Sequence, residues 1–448
     1  MPRSAPFAVL GVGFRWLILG LVFALIAIAT FAQTVLMHTL DPFLIETGLA
    51  DAHWGLLLTG LGLAFIVALL PAGIVCDRCG ARSVLTIAAG LICASMVLAG
   101  FSGRLIVHLI ACVLLGFGGA MVLPALNRVV ADWFSPHERA MALAWALLAF
   151  PLAWALSNIL LPPMIAIVSW RACLLAIAAA ALLWSPAWFL LFRDDPSQSS
   201  HISRVELQRI GRLSTRRPRL RDRQDMNVSQ GSLPKPMRMT LIANLCVFAV
   251  QGYAGFFCLF WISDGPLASI ELPMAAAVLP WLIAAALVWL GGFFSDRRLR
   301  TTGWLRNARS MILLLNASTA ILALGLIGVL LMMAEPPAML FLALVSAAFG
   351  TSMGALPVLS ATVIDICARS AAALLGLSLT GLALAAVIAP ILSMWIAAET
   401  DSMANPLLLL IVLEISTIII LIAAHRPDLI RARRRSGAPS AISGRVTK

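Results

Sequence analysis

Residues 71–82 read PAGIVCDRCGAR, and the fold turns on whether the CDRC at their centre is chemistry or architecture. Cys76 and Cys79 have the CxxC spacing of a redox dithiol or of half a zinc site. Their surroundings look like neither. Apolar runs flank the stretch, each able to cross a hydrocarbon core of about 30 Å. Such runs recur along all 448 residues, of which 61% are hydrophobic and 12% charged. Soluble domains carry about 25% charged residues, so water is not the solvent for most of this surface.

Twelve spans are expected near 15–38, 54–76, 84–101, 105–130, 141–165, 171–192, 240–262, 273–294, 310–333, 338–364, 371–397 and 405–424. The runs are continuously apolar and lack the alternation of a membrane β-barrel, which makes the chain an all-α membrane protein. Between the sixth and seventh runs lies the only long polar segment. The expected organisation is a six-helix bundle over 1–192, a basic linker over 193–239, a second six-helix bundle over 240–424 and a basic tail over 425–448. The N-terminal run is too long for a signal-peptide core and is read as a retained first helix.

The net charge of +12 sits in short blocks between spans, without aromatic interleaving, so nucleic acid is not the expected partner. An even number of spans puts both termini and the linker on one side. That side holds Arg3, Arg15, Arg78, Arg82, Arg139, the linker arginines, Arg297 to Arg309, Arg369 and the tail; the other holds Arg104 and Arg171. The asymmetry places both termini in the cytoplasm. Arg216 to Arg223 and Arg431 to Arg435 are expected to attract anionic lipid. In the linker, Ser203 and Glu206 form a capping-box pattern ahead of a short amphipathic helix.

An internal repeat settles the role of CDRC. GIVCDR (73–78) recurs as GFFSDR (292–297), and FGGAMVLPAL (117–126) is paralleled by FGTSMGALPVL (349–359). Two matches in corresponding spans argue for duplicated halves around a midplane site. Ser295 stands where the first half has Cys76, a replacement that metal or redox chemistry would not tolerate. No cofactor and no metal is expected.

With its Gly, Asp, basic, Gly, basic spacing, GIVCDRCGAR resembles the signature of the major facilitator superfamily between helices 2 and 3. The resemblance covers nearly the whole chain and implies twelve helices in two six-helix halves, with secondary transport by alternating access. It assigns Gly73, Asp77, Arg78, Gly80 and Arg82, with Gly292, Asp296 and Arg297 in the second half, to a latch between the halves. Asp77 can pair with a base or offset a helix N-terminus, and Gly80 can supply a positive φ. No loop outside the linker can hold a catalytic set, so the chain is read as a transporter and not an enzyme.

GFGGAMVLPALNRVVADWFSPHERAMALA (116–144) is similar to the helix 4 to helix 5 passage of the anion:cation symporter branch. Arg128, Glu138 and Arg139 join the gating set on that basis, and Ser135 to Glu138 read as N-cap and capping box of helix 5. The branch's arginines of helices 1 and 4 are here Thr34 and Cys112; its helix 2 tyrosine is Phe65, and its helix 4 glutamate is Gly119. These departures leave two readings: uptake of a small organic solute such as an organic anion, coupled to protons, or efflux of a neutral or lipophilic compound. Helices 1, 4, 7 and 10 line the path in this fold, which makes Gln33, Thr34, His38, Asn244, Gln251, Tyr253, Thr351 and Ser352 the cavity candidates; each can equally bond a neighbouring helix. His38, Asp41 and Glu414 are the proton-coupling candidates, although Glu414 also reads as a neutral acid packed against a neighbour. The expected setting is a monomer in a bacterial inner membrane.

Overall fold

The computed structural model describes residues 13–48, 50, 52–210, 235–263, 278–333, 337–402 and 404–425. Among them, twelve helices are long and apolar enough to cross a membrane. Spans 1 to 6 are Phe14–Thr47, His53–Cys79, Ala81–Phe101, Leu105–Trp133, Arg139–Ile167 and Trp170–Leu191. Spans 7 to 12 are Met237–Ile262, Leu279–Thr302, Ala308–Leu330, Ala338–Ile366, Ala368–Thr400 and Ala404–Ala423. The linker's Arg204–Ile210 helix is present, and its capping box closes reciprocally, Glu206 N–H to Ser203 Oγ and Ser203 N–H to Glu206 Oε2. The arginine blocks at 216–223 and 431–435, and Arg3, lie outside the described residues.

The two sets of six spans pack by one scheme. Spans 2 and 4, 3 and 4, 3 and 6, 1 and 5, and 1 and 6 are neighbours. Six places on, so are spans 8 and 10, 9 and 10, 9 and 12, 7 and 11, and 7 and 12. The sets meet chiefly where span 2 lies along span 11 and span 5 along span 8. Each of those contacts is the image of the other under the repeat, as a pseudo-two-fold axis requires. Small residues make the approach close: a Cβ on Gly73 would strike the Ala372 carbonyl of span 11, and one on Gly292 would strike Ala140 and Ala144 of span 5.

Span 1 runs nine residues beyond its expected end. His38, Asp41 and Pro42 look like a loop in the sequence, but packing carries the helix on: Phe43 is buried and stacks on His108 with ring centroids 3.7 Å apart. At the tip Glu46 takes a two-pronged bond from Arg171, at 2.7 and 2.6 Å, before Gly48 ends the helix in the left-handed region. Span 5 stays helical through Leu148, whose N–H bonds the Ala144 carbonyl and whose carbonyl takes the Leu152 N–H, but the helix is loosened just before that residue. Pro151 has no N–H for the Leu147 carbonyl, which is where a proline loosens a helix.

Candidate functional site

At the end of the bundle that carries the signature, the loops of both halves are tied to the opposite half. Asp77, at the end of span 2, accepts from Ala372 N–H at 3.2 Å and Ala373 N–H at 2.8 Å, in the first turn of span 11's main segment. Asp296, at the same point of span 8, accepts from Met141 N–H at 2.8 Å in the first turn of span 5. N–H groups in a helix's first turn have no partner within the helix and carry its positive end. Each aspartate therefore supplies what the opposing helix lacks. The two tethers are images of one another, like the spans that bear them.

Charged side chains reinforce both. Arg128 of span 4 pairs with Asp132 at 2.8 Å, lies 3.7 Å from Asp77, and donates to the Arg369 carbonyl across the interface at 2.9 Å. In the second half Arg309 is wholly buried and donates to Asp296 at 2.7 Å, Ser295 at 2.8 Å and Asp365 at 3.3 Å. Its other arm reaches the Pro136 carbonyl of the first half at 3.3 Å. Arg139 of span 5 closes the ring on Asp365 at 2.9 Å. Buried charges are tolerated when paired and hydrogen-bonded, and this cluster meets both conditions while joining spans 5, 8, 9 and 10.

Other signature positions serve locally. Gly80 has φ +86°, the left-handed backbone its position calls for, with the Asp194 carboxylate beside it. Arg82 lies over the Phe189 ring at 3.9 Å and bonds that residue's carbonyl, joining span 3 to span 6. Arg78 and Arg297 are exposed. Cys76 is buried and Cys79 exposed, both as free thiols. A polar cleft of about 340 Å³, lined by Asp77, Arg78, Arg128, Asp132 and Asp194, opens on this end.

Glu138 departs from its expected part. Span 5 begins at Arg139 with no side-chain cap; Glu138 instead receives a two-pronged bond from the buried Arg15 of span 1, and a third from Ser135. The segment before Arg139 folds as a turn, which leaves the carboxylate nearer a buried guanidinium than the Ser135 N–H. Burial works against its charge, but the Arg15 bonds outweigh that and hold its pKa below the ordinary glutamate value.

The cavity candidates are mostly engaged within the protein. Thr34 is buried, bonding the Thr30 carbonyl and sharing a 2.8 Å bond with Ser157 of span 5. His38 Nδ1 sits 2.8 Å from the Thr34 carbonyl, and Gln33 lies against Gly119 of span 4; both are half-buried, and Asp41 is exposed. Thr351 and Ser352 bond carbonyls of their own helix. Tyr253 meets Ser393 of span 11 at 3.2 Å. Asn244 donates to the Leu359 carbonyl and Asn127 to that of Ser360, both at 3.4 Å. Gln251 donates to Glu414 at 3.1 Å, with both residues buried. The first-half and second-half candidates are thus not brought into one cluster.

Arg309, Asp132 and Asp365 were not singled out from sequence, although the repeat carried a signal. Asp132 stands eight residues after Pro124 and Asp365 eight after Pro357. The N–H donors at 141, 372 and 373 had none, since any residue but proline supplies one.

The chain matches the profile of the Major Facilitator Superfamily over residues 22–326. It is 24% identical over 377 residues to the probable sulfoacetate transporter SauU of Cupriavidus necator, covering 81% of this chain and 83% of that one. It is 23% identical to the hexuronate transporter of Bacillus subtilis, over 55% of this chain and 56% of that one. With the probable L-galactonate transporter of Escherichia coli the identity is also 23%, over 56% of this chain and 55% of that one. The match thus spans about half the length of the latter two.

Proposed function

The chain belongs to the Major Facilitator Superfamily, and from that premise we propose that it carries a small organic anion across a bacterial inner membrane by alternating access coupled to protons. The observation that carries this reading is the pair of image-related tethers, Asp77 on span 11 and Asp296 on span 5. A structure that closes one end by the same device twice can open it by rocking one half against the other. The arginine asymmetry of the loops supports a cytoplasmic position for the tethered end, the termini and the linker; on that reading the state described is closed toward the cytoplasm. The named substrates of the similar proteins, sulfoacetate, hexuronate and L-galactonate, are organic acids and support the anion. His38, Asp41 and Glu414 remain the groups proposed to handle the proton.

Efflux of a neutral compound is favoured by one observation: Thr34 and Cys112 are buried and uncharged. Purified protein challenged with carboxylates, sulfonates, neutral metabolites and lipophilic cations separates the readings. A ligand at 100 times its Kd stabilises the folded state by about 2.7 kcal/mol. Carboxylates or sulfonates raising Tm, with uptake driven by a pH gradient in proteoliposomes, is the expected result. Stabilisation by neutral compounds alone would transfer the case to efflux.

A further inference from the structure

Span 5 and span 8 meet a second time, away from the tethered end, and there the contact is aromatic. Trp154 of span 5 stacks face to face on Trp281 of span 8, ring centroids 4.9 Å apart and planes 7° from parallel. Phe150 stands edge-on to Trp281 at 6.2 Å, and Phe349 of span 10 at 5.1 Å. Trp154 lies 15 residues into span 5, about 22 Å from the tethered end at 1.5 Å per residue, which is near mid-membrane. It also precedes Ser157, the partner of Thr34 on span 1, by one helical turn. The stack therefore lies at the depth where a substrate would be held, one turn from the bond that joins spans 1 and 5.

Two features of this stack point to a ligand. The Trp154 Nε1 is buried and has no acceptor among the described residues, although an indole N–H ordinarily finds one when buried. The stack itself joins the two halves and must come apart if they rock. Parting exposes two flat aromatic faces and one unspent donor. The hydroxyls of Thr34, Thr351 and Ser352 are meanwhile committed to main-chain carbonyls and have no proton to spare for a many-hydroxylated acid.

We propose that the transported anion is a planar aromatic carboxylate that takes Trp154's place on the face of Trp281 when the halves part, its carboxylate accepting a hydrogen bond from Trp154 Nε1. This rests on the organic-anion reading and narrows it. The ligand restores the lost stacking, and its charge meets a neutral donor in a charge-assisted bond, so no arginine is needed at positions 34 and 112.

The test uses full-length protein in proteoliposomes, with benzoate and phenylacetate against glucuronate and sulfoacetate, and with Trp154→Phe beside the unmodified chain. Phenylalanine keeps an aromatic ring and removes the donor. The expected result is uptake of the aromatic acids, with benzoate bound about 10- to 100-fold more weakly by W154F, as loss of a bond to a charged group implies. Benzyl alcohol, which lacks the carboxylate, should bind both proteins alike, and an unchanged Tm without ligand shows that W154F folds. Uptake of glucuronate or sulfoacetate without competition from benzoate would overturn the aromatic assignment while leaving the organic-anion reading intact. So would benzoate bound by W154F as tightly as by the unmodified chain. If none of the four acids is moved, both readings fall together.

Discussion

At Asp77 each carboxylate oxygen is matched to its own main-chain N–H, at 3.2 and 2.8 Å. Asparagine at this position retains one acceptor and turns an NH₂ toward the other donor. A hydrogen bond to a charged group is worth about 1.5–3 kcal/mol, so Asp77→Asn should shift the balance of states about 10- to 100-fold away from the closed one. Uptake in proteoliposomes should fall by at least about tenfold, with an unchanged amount of folded protein by gel filtration. Glu138 makes a separate prediction through pH. Its folded-state pKa is lowered, so its stabilising contribution is complete above the ordinary glutamate range and lost as pH falls through the lowered value. Melting curves of the unmodified protein and Glu138→Gln should therefore differ at neutral pH and converge well below about pH 4. A constant gap across that range would show that the Arg15 pair has no stabilising charge term.

At the scale of helices, the interface depends on positions without side chains. Leucine at Gly73 would meet the Ala372 carbonyl and at Gly292 would meet Ala140; because backbone cannot retreat as a side chain does, either change should abolish transport while leaving membrane insertion intact. Pro151→Ala has the opposite character. It restores a donor for the Leu147 carbonyl, and removing an interior proline is worth up to about 3 kcal/mol. The expected outcome is a higher Tm with slower turnover, since the missing bond at Leu147 is where span 5 can bend when its tethered end is released. The spans were legible because a bilayer demands long apolar runs, and the repeat because Gly, Asp and Arg kept their spacing. The end of span 1 was not, since His38, Asp41 and Pro42 are poor helix material whose conformation is set by Phe43 and Glu46 packing against spans 4 and 6. The cap expected for span 5 failed for a related reason: Glu138 found a stronger partner in Arg15, 123 positions away.

For the molecule as a whole, the image relation between the two tethers can be tested as a relation. Asp77→Asn and Asp296→Asn should impair transport in the same way, since each unpins one half from the other's helix start. The second is expected to cost more stability, because Asp296 also answers the buried Arg309, and a buried charge left short of its partner is strongly destabilising. Thermal melts and uptake on the two single variants and the double variant would show this; equal Tm losses would place the two sites in equivalent electrostatic settings. The tethers also bear on how such a protein diversifies. Asp77 and Asp296 grip peptide groups and not side chains, so the tethers themselves make no demand on residue type at 141, 372 and 373, proline aside; what holds position 372 small is its burial against Gly73. Pairs of positions that touch usually leave correlated substitutions across a set of descendants. Here the two tethers should leave almost none, unlike the side-chain pair Arg139–Asp365 that crosses the same interface.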